Sequence, residues 1–411
     1  MLSGLYPAFF ISSFSPASAL KNTFGNKNAS GFVLRKSLVV TQFFISQFLI
    51  IGTLVLINQM NYFKNKELGF KQDAIVTVPI PVQERPETDT IQTSNMRTLA
   101  SRIAALSGVE NYSLCNTPPS SGAVSGTGFI LEGESDDKRK DTQVKTVDDK
   151  YIPLFNLKMI AGSNIEDLDT ARSVVVNKRL TEIAGFTDPK DMIGKRIRIW
   201  GRMLPVVGVV ENFHTTSLTS EIEPTVLFNR KSNYRTLALQ IHPQAFQKAL
   251  PEIQKLWEET YPKELFSYRF LDESIREFYA SEERTSILLT VFTSLAIVIG
   301  CLGLFGLATF MINQKNKEIG VRKVLGASVE GIVFMFSKEY LKLIGIGFAL
   351  AAPASWFIMN KWLDTFAYKI ELGPLLFAIG FIVTLLIAFI TVGYKSFKAA
   401  TVNPVKSLRY E

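Results

Sequence analysis

Four apolar runs of bilayer-spanning length divide this 411-residue chain, and they limit its fold more than any other feature. A hydrocarbon core takes about 20 consecutive apolar residues as a helix. Ser37 to Ile57 (SLVVTQFFISQFLIIGTLVLI) carries no charge, and neither does the longer run from Thr285 to Ile312. Leu343 to Met359 is clean but shorter, preceded by a mixed stretch with Lys338, Glu339 and Lys342. Pro374 to Tyr394 completes the set. The bland alternative is a soluble protein with four buried core helices, and uncharged runs of this number and length argue against it. The expected fold is a membrane protein: four transmembrane α-helices with a large mixed α/β extracytoplasmic domain inserted between helices 1 and 2.

The charge balance, 45 Lys+Arg against 37 Asp+Glu, would by itself raise nucleic acid as a partner. Its distribution points to the lipid bilayer instead. Lys21, Lys27, Arg35 and Lys36 precede the first run; Lys315, Lys317, Arg322 and Lys323 follow the second; Lys395, Lys398, Lys406 and Arg409 follow the fourth. The loop between the third and fourth is neutral, Lys361 and Lys369 offsetting Asp364 and Glu371. Alternating spans put the three basic clusters on one side, which the short-loop rule makes the cytoplasm. Both termini are then cytoplasmic, in a multi-pass protein of the cytoplasmic (inner) membrane. Residues 60–284 lie outside and hold 29 Lys+Arg against 31 Asp+Glu, leaving 16 against 6 for the rest of the chain. The positive excess therefore flanks the membrane, and no nucleic-acid partner is expected.

The outer segment reads as a folded module. Ala74 to Val78 alternates as a strand does, and Met96 to Leu106 has helical spacing ended by Gly108. Ser120 to Gly128 (SSGAVSGTG) reads as a flexible loop; a phosphate cradle there lacks the Lys-Ser/Thr ending and the following apolar helix. Ser173 to Val176 is a buried strand and Lys178 to Ala184 a short helix. Arg196 to Trp200 and Leu204 to Val210 form a hairpin turning at Gly201-Arg202. Leu237 to Ile241 is a strand, and Phe246 to Thr260 an amphipathic helix. Asp272 to Glu283 is helical in pattern and runs straight into the second span, as a stalk would.

Enzyme constellations are absent or weak. His214 and His242 each lack a second ligand at metal spacing, so no metal site is expected. His214, in Glu211-Asn212-Phe213-His214, reads as a satisfied loop histidine. There is no GxSxG and no CxxC; Cys115 and Cys301 belong to different segments and should not meet. No Walker A motif occurs: Gly194-Lys195-Arg196 has Pro189 where the first glycine belongs and no Ser/Thr after the lysine. Catalytic residues and directly bound cofactors are not expected. Asp136-Asp137 beside Lys138-Arg139-Lys140 is a solvated loop. In the second span, Gly300, Gly303 and Gly306 would let helices pack closely, and Pro353 would kink the third.

The most informative stretch is Asn313 to Val333 (NQKNKEIGVRKVLGASVEGIV). Glu318 and Arg322 are four apart, a helix-supporting pair. Ile319, Val321, Val324 and Leu325 give apolar surface that must be buried against something, and Gly326-Ala327-Ser328 ends or bends the helix. The bland reading is an interfacial helix at the headgroups; the sharp one is a docking element for a cytoplasmic partner.

Here the sequence resembles the MacB/FtsX/LolC-type permeases of ABC transporters. Glu318-Ile319-Gly320-Val321-Arg322-Lys323-Val324-Leu325-Gly326-Ala327 matches that family's cytoplasmic signature. The resemblance extends over Tyr151 to Phe228, where YIPLFNLKMIAGSNIED, SVVVNKRLTEIAGF, MIGKRIRI and LPVVGVVENFHTTSL follow the order of its periplasmic core domain. Asn403 to Arg409 (NPVKSLR) matches its C-terminus. The resemblance implies a type VII permease subunit, with a separate cytoplasmic ABC ATPase subunit carrying ATP-Mg. It further implies a second permease copy or half, and leaves room for a periplasmic adaptor. The loop after the second span would dock on the ATPase, whose dimerisation moves the stalk and outer domain (mechanotransmission). Carried over residue by residue, Glu318, Gly320, Arg322, Lys323, Gly326 and Ala327 are the coupling positions. Export of a peptide, drug or lipoprotein is the expected outcome. The alternatives are an FtsX-like regulator of cell-wall hydrolases and a membrane-anchored sensor or adhesin without transport.

Tyr6 to Lys21 (YPAFFISSFSPASALK) echoes Tyr394 to Arg409 (YKSFKAATVNPVKSLR), with Tyr6/Tyr394, Pro16/Pro404 and Leu20/Leu408 in step. This looks like the end of a preceding permease repeat, so that the chain would be the second half of a duplicated permease. A signal peptide cleaved after Ala17-Ser18-Ala19 competes, but lacks a basic start and a long apolar core. The expected organisation is a tail over 1–33, transmembrane helix 1 over 34–60 and the outer core domain over 61–272. Stalk and FtsX-like permease domain follow over 273–411, with helices at about 285–312, 343–360 and 374–394.

Overall fold

A computed structural model describes residues 29–82, 94–122, 125–168, 171–315, 318, 321–322 and 325–401. The echo at Tyr6 to Lys21, the Ala17-Ser18-Ala19 alternative and the Asn403 to Arg409 match lie outside the described residues. The chain divides into two compact units. Helix α1, Ala29–Asn65, is 37 residues long. At about 1.5 Å per residue it spans roughly 55 Å, beyond a hydrocarbon core of about 30 Å. Its last turns therefore stand outside the lipid, and from Met60 onward they belong to the outer unit.

That outer unit is Met60–Arg284 together with Asp364–Lys369. It opens with β1 (Ile75–Pro79), α2 (Asn95–Ala104) and β2 (Val109–Cys115). The middle is β3 (Ser125–Leu131), β4 (Lys140–Thr146), α3 (Tyr151–Leu154), β5 (Met159–Gly162), β6 (Val174–Asn177), α4 (Lys178–Ile183), β7 (Arg196–Ile199), β8 (Arg202–Val210) and β9 (Thr225–Phe228). It closes with β10 (Thr236–Ile241), α5 (Phe246–Thr260), β11 (Arg269–Phe270) and α6 (Leu271–Glu277).

Two cores follow from the apolar patterning. Antiparallel strands in the order β11-β1-β10-β2 present Val76, Val78, Leu237 and Leu239 to one face. Helices α2 and α5 cover it with Met96, Leu99, Ile103, Ile253 and Trp257. Helix α2 starts where the Ser94 hydroxyl accepts from the Arg97 N–H, an N-cap. The second sheet runs β5-β8-β6-β9-β4-β3-β7, and β7 pairs back onto β8. Six strands thus close into a ring with β5 on its rim, and closure removes the exposed edges that an open sheet would leave. Phe129, Val174, Val176, Ile197, Val206 and Val226 fill it. Strands β6/β8 and β4/β9 are parallel, and the other pairs antiparallel.

The strands and short helices read from the sequence fall where expected, with three differences. The hairpin turns at Trp200-Gly201 and not at Gly201-Arg202, because Arg202 already pairs with Ile199 in the ladder. Ser125–Gly128 is strand, not loop, because β3 pairs with β4 in the register Ser125↔Val144 to Phe129↔Lys140. A side chain at Gly128 would overlap Arg139, so the glycine that suggested flexibility serves close packing. The stalk is also not one helix. Helix α6 stops at Glu277, Phe278 and Tyr279 form a tight turn, and α7 (Ala280–Gln314) begins afresh. The Phe278 N–H donates to Ile275 O and the Tyr279 N–H to Arg276 O at 3.2 and 3.0 Å, i→i−3 bonds that close the last turn of α6.

Helices α7, α8 (Val329–Leu363) and α9 (Pro374–Thr401) complete the membrane unit, and with α1 all four are long and apolar enough to cross a bilayer. Lipid offers no hydrophobic drive to helix pairing, so small residues and polar contacts carry it. The Thr53 and Thr293 hydroxyls are 2.7 Å apart, joining α1 to α7. The Gln47 side-chain amide donates to Ile344 O, and Lys36 pairs with Glu339 at 2.6 Å, both joining α1 to α8. Of the three glycines singled out by sequence, Gly300 and Gly303 face Gln42 of α1, whereas Gly306 faces open space. Among the described glycines of the bundle, the closest backbone approach is at Gly347, where a methyl group would lie 2.8 Å from Phe43 Cβ and 3.3 Å from Phe44 N. Backbone cannot yield as a flexible side chain does. Gly347→Leu is therefore expected to destabilise the bundle by about 1–3 kcal/mol, with Gly306→Leu near neutral. Thermal aggregation curves in detergent measure both, and equal curves would contradict this packing. Helix α8 continues through Pro353.

Candidate functional site

Two places concentrate chemistry that a lone lipid-embedded bundle does not need. The first lies between α7 and α8. Glu318 is held by Arg322 at 2.8 Å and by Lys315 at 3.8 Å, the i,i+4 and i,i+3 partners that spacing predicts. The Arg322 guanidinium also reaches Met335 Sδ at 2.8 Å. The Leu325 N–H donates to Val321 O, and the Ala327 N–H to Arg322 O five residues back. Gly326 sits at φ +90°, so the turn ends as a Schellman cap, in the left-handed conformation glycine adopts without strain. Leu325 is 80% exposed and Val321 50%. Of the six expected coupling positions, Glu318, Arg322, Gly326 and Ala327 thus form one short capped turn with an uncovered apolar face. Gly320 and Lys323, with Ile319 and Val324, lie outside the described residues.

The second place is the part of the outer unit that α1 enters and α7 leaves. Phe63, near the end of α1, packs its ring 4.9 Å from Tyr279 and edge-on to Phe366 at 5.4 Å. The Tyr279 hydroxyl accepts from the Leu218 N–H at 2.8 Å, and Phe278 lies against Gly122. These tertiary contacts seat the turn between α6 and α7. The segment Asp364–Lys369, which sequence marked only as a neutral loop, belongs here: the Ala367 N–H donates to Thr219 O, and Tyr368 meets His214 edge-on at 4.9 Å. Lys66 Nζ stands 5.2 Å from the Tyr368 ring centre, within cation–π range. His214 is buried, its N–H donating to Leu68 O and its C=O accepting from the Ser120 N–H. Burial first, and then the Lys66 charge, push its imidazole down to about 4. The missed residues had one legible signal: aromatic pairs just outside the apolar runs, at Tyr62-Phe63, Phe278-Tyr279 and Phe366/Tyr368.

Behind this part lies a buried polar network. The Lys145 amine, within β4, donates to Thr117 Oγ1 at 3.1 Å, Pro118 O at 2.9 Å and Ser121 Oγ at 3.4 Å. Burial lowers it to about 8. It fixes the 117–121 segment, from which the Ser120 hydroxyl donates to Thr216 O and the Ser121 N–H to Thr215 O. Asp148 accepts from the Ser113 hydroxyl and the Leu114 N–H, and burial nevertheless raises its carboxyl to about 6. The same environment pushes the Cys115 thiol well above its usual range, so it is an inert core group.

Residues 43–253 match the MacB-like periplasmic core domain and residues 290–404 the FtsX-like permease C-terminal domain. The chain is 25% identical over 312 residues to the uncharacterised ABC transporter permease YknZ of Bacillus subtilis, covering 70% of this chain and 75% of that one. It is 22% identical over 280 residues to the macrolide export ATP-binding/permease protein MacB 1 of Yersinia pestis, covering 64% of this chain and 43% of that protein. The periplasmic region of MacB from Actinobacillus actinomycetemcomitans aligns over 50% of this chain and 93% of that one, with a TM-score of 0.35 and 12% identity.

Proposed function

The chain belongs to the MacB/FtsX-type permeases of ABC transporters, and from that premise we propose that it couples ATP hydrolysis by a separate cytoplasmic subunit to movement of its outer domain, exporting a peptide, drug or lipoprotein. ATP-Mg sits on that partner. A second permease copy or half and a periplasmic adaptor complete the assembly.

The observation that carries this reading is the capped turn around Glu318 and Arg322. Exposed Val321 and Leu325 beside a salt-bridged pair have the mixture of apolar contact and charge that gives a docking surface both affinity and orientation. A partner that grips this turn pulls on the end of α7. That helix is 35 residues long, and its hydrogen-bonded backbone transmits displacement along its axis with little compression. At its other end, the Phe278–Tyr279 turn hands the movement to loops of the outer domain.

Co-purification with an ABC ATPase, and its stimulation by the permease, test the reading. Glu318→Arg or Arg322→Glu is expected to lower that stimulation at least ten-fold, about 1.4 kcal/mol of coupling. Thermal stability should hardly change, since a half-exposed ion pair contributes under about 1 kcal/mol. Full stimulation in both variants would remove the docking role.

A further inference from the structure

The hairpin between β7 and β8 carries a strained aromatic residue over a cavity that the coupling reading leaves unused. Its two central residues, Trp200 and Gly201, have φ +47° and +77°. A two-residue turn with both φ positive is the type I′ turn, in which Asn-Gly or Asp-Gly is the favoured pair. A bulky residue at positive φ is an outlier that costs stability, and outliers of this kind cluster at ligand sites. Trp200 is also 49% exposed, so burying its ring in the core is not what offsets the strain. The indole instead stands edge-on to buried Phe228 at 5.4 Å and forms one wall of a cavity of about 210 Å³.

Val174, Ile199, Leu204 and Phe228 line the apolar part of that cavity, and among the described residues Arg202 and Arg230 are its charged lining groups and no acidic side chain lines it. Among the described residues, the Arg202 guanidinium has no hydrogen-bond or ion-pair partner. The volume is below the roughly 300–1,000 Å³ of drug-sized pockets, so the cavity takes a fragment: one apolar side chain or short acyl chain. A guanidinium at the mouth selects a planar anion, because its fork matches a carboxylate in two parallel hydrogen bonds.

We propose that this cavity binds an apolar group terminated by a carboxylate, with Trp200 and Phe228 holding the chain and Arg202 the anion. The same chemistry is offered by a free short-chain carboxylic acid and by the C-terminal residue of a peptide with an apolar side chain.

Tryptophan fluorescence of the full chain in lipid nanodiscs tests it, with hexanoate, the tripeptide acetyl-Ala-Ala-Leu and its C-terminal amide as probes. Saturable change is expected with hexanoate, with the free-acid peptide or with both, and their relative affinities identify the source. The amide should bind at least ten-fold more weakly than the acid. The signal should vanish in Trp200→Phe, which keeps an aromatic wall, and Arg202→Gln should weaken binding at least ten-fold. Both variants should unfold at the wild-type temperature, since the two side chains are exposed. No saturation with either acid, or an amide that binds as tightly as its acid, would overturn the assignment; so would undiminished affinity in Arg202→Gln.

Discussion

Gly162→Ala is expected to cost the outer domain about 2–5 kcal/mol, a large loss for the addition of one methyl group. Two terms add. The backbone at Gly162 has φ +72°, and a left-handed conformation costs an L-residue roughly 1–2 kcal/mol. The new methyl would also fall on the Val207 carbonyl and within 2.9 Å of Gly208 Cα. Overpacking against backbone adds about 1–3 kcal/mol. Gly208 faces Gly162 directly in the β5–β8 register, with a bulge between Met159 and Ala161. The two glycines therefore share one crowded crossing, where β5 lies against the strand that closes the ring. Denaturant unfolding of the outer domain measures the change, and a loss under about 1 kcal/mol would show that the crossing is slack.

His214 is expected to make stability depend on pH by up to about 3 kcal/mol. Its imidazole has an ordinary value of 6.5 and is held at about 4 in the folded chain. Between those values the unfolded chain binds more protons than the folded one, so stability rises with pH across that window. The contribution is complete above about 6.5 and lost as pH falls towards 4. A displacement of this size corresponds to roughly 3 kcal/mol. Asp148 acts in the opposite sense. Burial raises its carboxyl from 3.8 to about 6, so the folded chain binds the extra proton and acidification through that range stabilises. The wild-type curve should therefore be shallow between pH 4 and 6.5, although two large slopes lie within it. His214→Phe keeps a ring against Tyr368 and cannot titrate. Relative to wild type, it should gain about 3 kcal/mol on going from pH 7 to pH 4. Parallel pH profiles for the two proteins would mean that the imidazole is not desolvated.

Much of the architecture was legible because its causes are local. Uncharged runs, the alternation at Val76 and Val78, the face of Phe246–Thr260 and the Gly201 turn each follow from short-range pattern. The Glu318–Arg322 pair was legible for the same reason: four residues on a helix make neighbours whatever surrounds them. What escaped depends on distant partners. The stripe through Ile275 and Phe278/Tyr279 reads as one helix. The chain breaks there at a turn whose Tyr279 hydroxyl meets the Leu218 N–H, 61 residues away in sequence. Ser125–Gly128 has loop composition and becomes a strand because β4 is beside it. Tyr368 and His214 carry no common motif, so only the fold pairs them. The tight contact at Gly347 likewise depends on which helix lies opposite, and no spacing within α8 states that.

Strands β1 and β11 are antiparallel neighbours, with Val76 opposite Phe270 and Thr77 opposite Arg269. One follows α1 almost at once and the other comes just before α6, so the outer domain begins and ends at the same spot. A module whose ends emerge side by side behaves as a cassette. Once it is folded, the two polypeptide ends are held a strand's width apart, and the host need not bridge a long gap. The entropy of joining distant chain ends, which for a flexible insert grows with its length, is met within the cassette itself. Lengthening or exchanging what lies between β1 and β11 therefore leaves the closure requirement on α1 and α7 unchanged. The insert can diverge while the spans stay as they are.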